Sequence, residues 1–121
     1  MAYATFDGYE IPRVYDVQIE RNLVGESART AGGKLRQDAI AYKRRWTLLC
    51  RPVPKHRVDP LLYHLESTLY AEGAFWLYGM GEPVLAKVNA DELREQVVAC
   101  AGEDGTWHMD GRQLTIVVEE V

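Results

Sequence analysis

The sequence is poor in the features that announce chemistry. It has two cysteines, Cys50 and Cys100, too far apart to present a metal-ligand spacing. They read as small buried hydrophobes in a reducing compartment, with a disulfide between them left open. The three histidines, His56, His64 and His108, form no HxH or HxxxH pair, so no zinc or iron site is expected. There is no Gly-x-Ser-x-Gly elbow. Arg51, the only basic neighbour of a cysteine, should point to the opposite face of a strand from Cys50. The glycines Gly32-Gly33 lead into Lys34-Leu35 rather than the Gly-Lys-Ser/Thr order of a phosphate loop. A basic excess is also missing: the formal net charge is −4, against the basic footprint of a nucleic-acid binder. No apolar run approaches the roughly 20 residues of a membrane-crossing helix. The opening MAYATFDGYE lacks the basic and apolar regions of a signal peptide, so the protein is expected to be made and to stay soluble in the cytoplasm. No catalytic, cofactor-binding or metal-ligating residue is assigned, and an enzyme is not expected.

What is present is the composition of a folded domain. With 121 residues, 47% hydrophobic and 26% charged, the chain is expected to fold as one domain over 1–121 without metal or disulfide support. Asp7-Gly8 is a turn signal inside a small N-terminal hairpin. Val14–Leu23 alternates, with Tyr15, Val17 and Ile19 on one face and Asp16, Gln18 and Glu20 on the other, the signature of a strand with one wet face. Gly25–Lys34 is a polar loop longer than ordinary hairpin connections. Leu35–Val53 alternates again until Pro52 and Pro54 stop it. Arg44 falls on the apolar parity of that strand, which requires either a snorkelling side chain or a bulge.

One helix is expected over 59–72, with Asp59 as N-cap, Pro60 at the first position, a stripe of Leu61, Leu62, Leu65 and Leu69, and Gly73 as C-cap. Phe75–Tyr78 and Val84–Val88 read as short strands. Leu93–Ala101 is ambiguous, and a strand is favoured because turn signals bracket it. Asp110-Gly111 marks a turn before a β-branched terminal strand, Leu114–Val121. The pattern has no βαβ alternation and no repeat. It predicts a mainly β (α+β) fold: an antiparallel β-sandwich or rolled sheet with one flanking helix and a long protruding hairpin.

Trp46 and Trp76 are expected in the core. Asp91, Glu92 and Glu95 are expected to be a solvated turn rather than a working carboxylate pair. The run Lys43-Arg44-Arg45 is unusually cationic for a strand. It reads either as a charged guard against edge aggregation or as a seam against an acidic neighbour, and Glu103-Asp104 and Glu119-Glu120 offer acidic ends for head-to-tail contact.

The stretch Ala28–Leu49, with its R-T-A-x-G-x-L-x-x-D-x-I-A-x-K-R-x-W-x-L pattern, resembles small tail proteins of long-tailed bacteriophages. The opening F-D-G-Y-E-I-P and the order of a short helix followed by the F-W-L-Y strand are similar to the same group, which includes minor tail proteins and the N-terminal ring-forming portion of distal tail proteins. The resemblance implies a fold related to tail-tube and type VI secretion tube subunits. In that group the inner sheets of six subunits close into a ring and a long hairpin loop reaches the next ring. On this sequence Gly25–Lys34 would be that loop, with Val17–Leu23 and Leu35–Tyr42 as its arms. Glu26, Arg29, Thr30, Lys34, Arg36, Lys43 and Arg45 are the candidate interface residues. The implied partners are other copies in a ring, as a hexamer, and other phage tail proteins in the virion tail. Neither a membrane nor a recognised nucleic-acid sequence is implied. Distal tail proteins continue into a second, larger domain, so a tail-tube or tail-tip accessory role is implied. Two other classes stay open: a small β-barrel binding module with Trp76, Tyr78 and Trp107 lining a pocket, and an adaptor that binds an acidic partner through Lys43–Arg45.

Overall fold

The computed structural model of the protein describes residues 3–24, 28–29, 35–36 and 41–121. In chain order the elements are β1 (Ala4–Phe6), β2 (Tyr9–Glu10), β3 (Val14–Val24), β4 (Ala28–Arg29), β5 (Leu35–Arg36), β6 (Ala41–Cys50), α1 (Lys55–Ser67), β7 (Gly73–Leu77), β8 (Val84–Val88), β9 (Arg94–Val97), β10 (Cys100–Ala101), β11 (Trp107–His108) and β12 (Arg112–Glu120). The main sheet runs β2-β1-β7-β8-β12-β6-β3, with β9 also paired to β12; β4-β5 and β10-β11 form two small ribbons. All pairings are antiparallel. The fold is mainly β with a single helix among the described residues.

The sheet is rolled. Trp46 on β6 and Phe75 on β7 are separated by two intervening strands, about 14 Å across a flat sheet. Their ring centroids nevertheless lie 4.8 Å apart, so the sheet must curl around its apolar face. That face is written by alternation: Trp46, Leu48 and Cys50 on β6, and Leu114, Ile116 and Val118 on β12, are all buried. Val58, Leu61 and Leu65 of α1 close the roll. Trp46 is buried as expected, whereas Trp76 is only half-buried, on the parity opposite to Phe75 and Leu77. Its indole Nε1 donates to the Met80 carbonyl at 3.0 Å.

The helix begins and ends earlier than the sequence suggests. It spans Lys55–Ser67, starting directly after Pro54, so Asp59 and Pro60 are interior and Gly73 opens β7. The earlier start brings Val58 into the buried spacing 58, 61, 65. Pro60 has no N–H to offer the His56 carbonyl, a local loss that the burial of three apolar side chains offsets. At the other end the Tyr70 N–H donates to Leu65 O (2.8 Å) and the Leu69 N–H to Glu66 O (3.1 Å), the paired bonds of a Schellman stop. Leu69 is therefore not part of the apolar stripe: it is 87% exposed, with φ of 55°.

Asp7 and Gly8, at φ 52° and 81°, make the tight left-handed turn that pairs Phe6 with Tyr9. Asp7 then reaches across the sheet. Its Oδ1 accepts the Ala74 N–H at 2.7 Å, and its Oδ2 lies 2.8 Å from His64 Nε2. The ambiguous 93–101 segment is extended, as β9 and β10.

Candidate self-association surface

The long hairpin is the dominant feature. β3 and β6 pair continuously from Asp16↔Leu49 to Val24↔Ala41, with a bulge at the Val14 end. This register puts Val17 and Ile19 opposite Leu48 and Trp46, extending the apolar face. The expected first arm, Val17–Leu23, lies within Val14–Val24; the second arm is described over Ala41–Cys50, and of the expected Leu35–Tyr42 the described residues are Leu35–Arg36, paired in β4-β5, and Ala41–Tyr42, in β6. The segment read as an unbroken loop over Gly25–Lys34 also contains paired backbone, Ala28↔Arg36 and Arg29↔Leu35. Pairing of β12 with β6 ends at Glu119↔Arg45, so Arg21–Val24 and Ala41–Arg44 form a two-stranded ribbon beyond the sheet.

Of the candidate interface residues, Arg29 lies on β4 and Arg36 on β5. Glu26, Thr30 and Lys34 fall outside the described residues. Lys43 is exposed. Arg45 forms an ion pair with Glu92 of its own chain, so it is not a spare cation awaiting an acidic neighbour. Arg44 resolves its awkward parity without a bulge. Its guanidinium lies 5.0 Å from the Trp46 ring centroid, and its Nε and Nη2 donate to Glu120 Oε1 (3.1 Å) and Oε2 (3.0 Å). Glu120 Oε1 also accepts the Arg44 backbone N–H at 3.0 Å. These bonds hold the Glu120 carboxyl below its ordinary range, against the opposing effect of burial. The pair closes the base of the ribbon.

Among the described residues three strands have no partner on one side: β3 over eleven residues, β9 over four, all exposed, on the side of β12 that β8 has left, and β2 over two. The first two bound a four-stranded stretch, β9-β12-β6-β3. On β3, Tyr15 and Ile19 are 51% and 44% exposed; on β9, Val97 is 66% exposed. The charges at the edges are mixed: Asp16, Glu20 and Arg21 on β3, Arg94 and Glu95 on β9. Edges this long are usually blunted in monomers.

The rest of the surface offers little chemistry. Cys50 and Cys100 are free and buried, and burial pushes the Cys50 thiol up to about 12, which removes the thiolate a nucleophile needs. Arg51 does point away, with its guanidinium 5.3 Å from the Tyr15 ring centroid. Among the described residues no three His, Cys, Asp or Glu side chains are grouped to hold a metal. Glu92 and Glu95 each face an arginine, Arg45 and Arg112. Asn89 Oδ1 accepts the Asp91 and Glu92 N–H groups, a turn rather than a catalytic pair. Trp76, Tyr78 and Trp107 do not converge, since Tyr78 stacks on Tyr3 and Trp107 Nε1 contacts Met109 Sδ at 3.2 Å. No helix is long and apolar enough to cross a membrane among the described residues.

No family model matches this chain, and no curated protein or solved structure matches it. The sequence reading missed the β10-β11 ribbon, with Glu103 and Asp104 in its turn and Trp107 and Met109 beside it. The cue was present in the glycines Gly102 and Gly105 bracketing an acidic turn.

Proposed function

We propose that this protein is a non-enzymatic tail subunit of a long-tailed bacteriophage that assembles with copies of itself into a ring in the tail tube or tail tip. The observation that carries the reading is the β3-β6 hairpin: its pairing runs past the last β12-β6 pair, and its outer strand is a long edge with no partner strand among the described residues. The second open edge, on β9, supports it further. Opposed edges at the two ends of one four-stranded stretch suit a heterologous contact that closes by rotation, with strands of neighbouring copies adding to one another's sheets. The resemblance over Ala28–Leu49 supplies the tail context and the expectation of six subunits. A binding-module role is weakened by the dispersed aromatics, and an adaptor role by the engagement of Arg45 with Glu92.

Light scattering across a concentration series, with negative-stain images of the peak, tests the reading. The expected result is a mass near six times 13.8 kDa and annular particles, both lost when Ala28–Gly33 is deleted although the circular dichroism spectrum is kept. A mass that stays at one subunit throughout, with no binding to purified phage tails, overturns it.

A further inference from the structure

Three cavities meet at one side chain, Arg57 in the first turn of α1. Their volumes are about 260, 550 and 310 Å³, and the larger two fall in the range of small-molecule sites, about 300–1,000 Å³. Arg57 and Glu103 line all three. The first adds His56 and His108, the second Tyr9 and Pro60, and the third Tyr3 and Arg13. Together they form one groove between α1, β2 and the turn of the β10-β11 ribbon. No local pattern joins these residues; the fold alone assembles them.

The polar groups of the groove are held in place. Arg57 Nη2 donates to Glu10 Oε1 at 2.6 Å and Nη1 donates to Glu103 Oε1, so one planar guanidinium fixes two carboxylates. Among the described residues the second oxygen of each carboxylate accepts no hydrogen bond from the chain. The His56 and His108 rings lie 6.2 Å apart. A Cβ on Gly102 would stand 2.8 Å from His108 Nε2 and 3.0 Å from Asp104 Oδ1, so glycine keeps the floor of the groove clear. The charges nearly balance, with Arg13 and Arg57 against Glu10, Glu103 and Asp104. A phosphate calls for a cationic excess, and among the described residues no three acidic, histidine or cysteine side chains are grouped to hold a metal. What the groove offers is suited to hydroxyls: carboxylate oxygens that accept, and guanidinium and imidazole N–H groups that donate. It also offers flat faces. Tyr3 and Tyr9 are 46% and 39% exposed. Each is braced by a second ring, Tyr3 by Tyr78 with 13° between the planes and Tyr9 by His64 at 4.5 Å.

We infer that this groove binds a neutral oligosaccharide, with the C–H faces of its pyranose rings on Tyr3 and Tyr9 and its hydroxyls on Glu10, Arg57, Glu103 and His108. A sugar meets each condition the groove sets. It carries no charge, its hydroxyls both donate and accept, and each ring has an apolar face that packs on an aromatic side chain. Three cavities in contact call for several rings rather than one. The groove is distinct from the β3 and β9 edges, so this inference goes beyond the assembly reading and does not rest on it.

The test presents the full chain to a printed array of neutral oligosaccharides, then titrates the best-bound sugar into isotope-labelled protein followed by NMR. Saturable binding is expected, with shifts at Arg57, Glu103 and His108. Neither Tyr3 nor His108 belongs to the buried core, so Tyr3→Ala and His108→Ala should keep the melting temperature and each weaken the affinity at least about tenfold. Tyr63→Ala, 76% exposed on α1 but outside the groove, should bind as the parent does. An array without binding overturns the inference, as do shifts that fall away from the groove. Tighter binding of sulfated sugars or of a lysine-rich peptide than of any neutral sugar also overturns it, as do Tyr3 and His108 variants that bind like the parent. Each of these outcomes leaves the assembly reading standing, and a single-subunit protein that binds the sugar overturns assembly alone.

Discussion

Replacing Leu69 by glycine should stabilise the protein. Leu69 occupies the left-handed position of the stop that ends α1, at φ 55°, with its N–H on Glu66 O and the next N–H on Leu65 O. A residue with a Cβ gives up about 1–2 kcal/mol in that conformation. Glycine escapes this but loses about 0.5–1 kcal/mol more backbone entropy on folding. The side chain is 87% exposed, so its removal forfeits almost no burial. The net gain is about 0.5–1 kcal/mol, which should raise the melting temperature by about 2–4 °C and move the urea midpoint upward with an unchanged slope. Leu69→Ala is the control: it keeps the backbone cost and should stay within about 0.5 kcal/mol of the parent. If Leu69→Gly melts at or below the parent while Leu69→Ala loses more than about 1 kcal/mol, the side chain is held by packing and the argument from backbone conformation fails.

Three further outcomes follow from particular contacts. A Cβ on Gly73 would stand 2.4 Å from Asp7 Oδ2. Because Asp7 is pinned by the Ala74 N–H and by His64, Gly73→Ala should cost about 1–3 kcal/mol in urea titration, and a loss under about 0.5 kcal/mol would mean that Asp7 yields freely. The Glu120 carboxyl is depressed by Arg44, so its contribution is present above the unfolded value of about 4.3 and is lost as pH falls through the lower folded value. Glu120→Gln should therefore cost about 1 kcal/mol at neutral pH and converge with the parent in strong acid; a gap that is constant with pH would refute this. Neither Cys50 nor Cys100 should react with a disulfide reagent in the native protein, both appearing only in denaturant, and rapid native labelling would contradict their burial.

The fold was legible where one physical rule acted alone. Two-residue alternation located β3 and β6, and short aromatic or β-branched runs between turn signals located β7, β8 and β12. Asp7-Gly8 announced its turn because few other residue pairs accept two left-handed conformations in succession. Rules misled where two competed. Asp59-Pro60 carries a strong helix-start signal, but burial of Val58 drew the start of α1 back to Lys55. Gly73 looked like a helix stop, yet Leu69 takes that position at a conformational cost and Gly73 is needed for the close approach of Asp7. The parity of Arg44 was visible, but its partner Glu120 lies 76 positions away, beyond any local pattern. The candidate surface was legible as the cationic stretch around the long hairpin. The exposure of Trp107 and Met109 was not, because it depends on where the β10-β11 ribbon is carried by strands remote from it in sequence.

The two ends of β6 make different demands on the chain. Near Cys50 the strand is buried and its neighbours are numerous. Near Ala41 only β3 pairs with it among the described residues, since the pairing of β12 with β6 ends at Glu119↔Arg45. A two-stranded ribbon is at best marginal on its own in water, and selection for the stability of a single copy has no reason to extend one past the core. On the proposed reading the ribbon gains its missing contacts from a neighbour. On that same proposal β3 of one copy pairs with β9 of the next, a heterologous contact that closes by rotation into a ring.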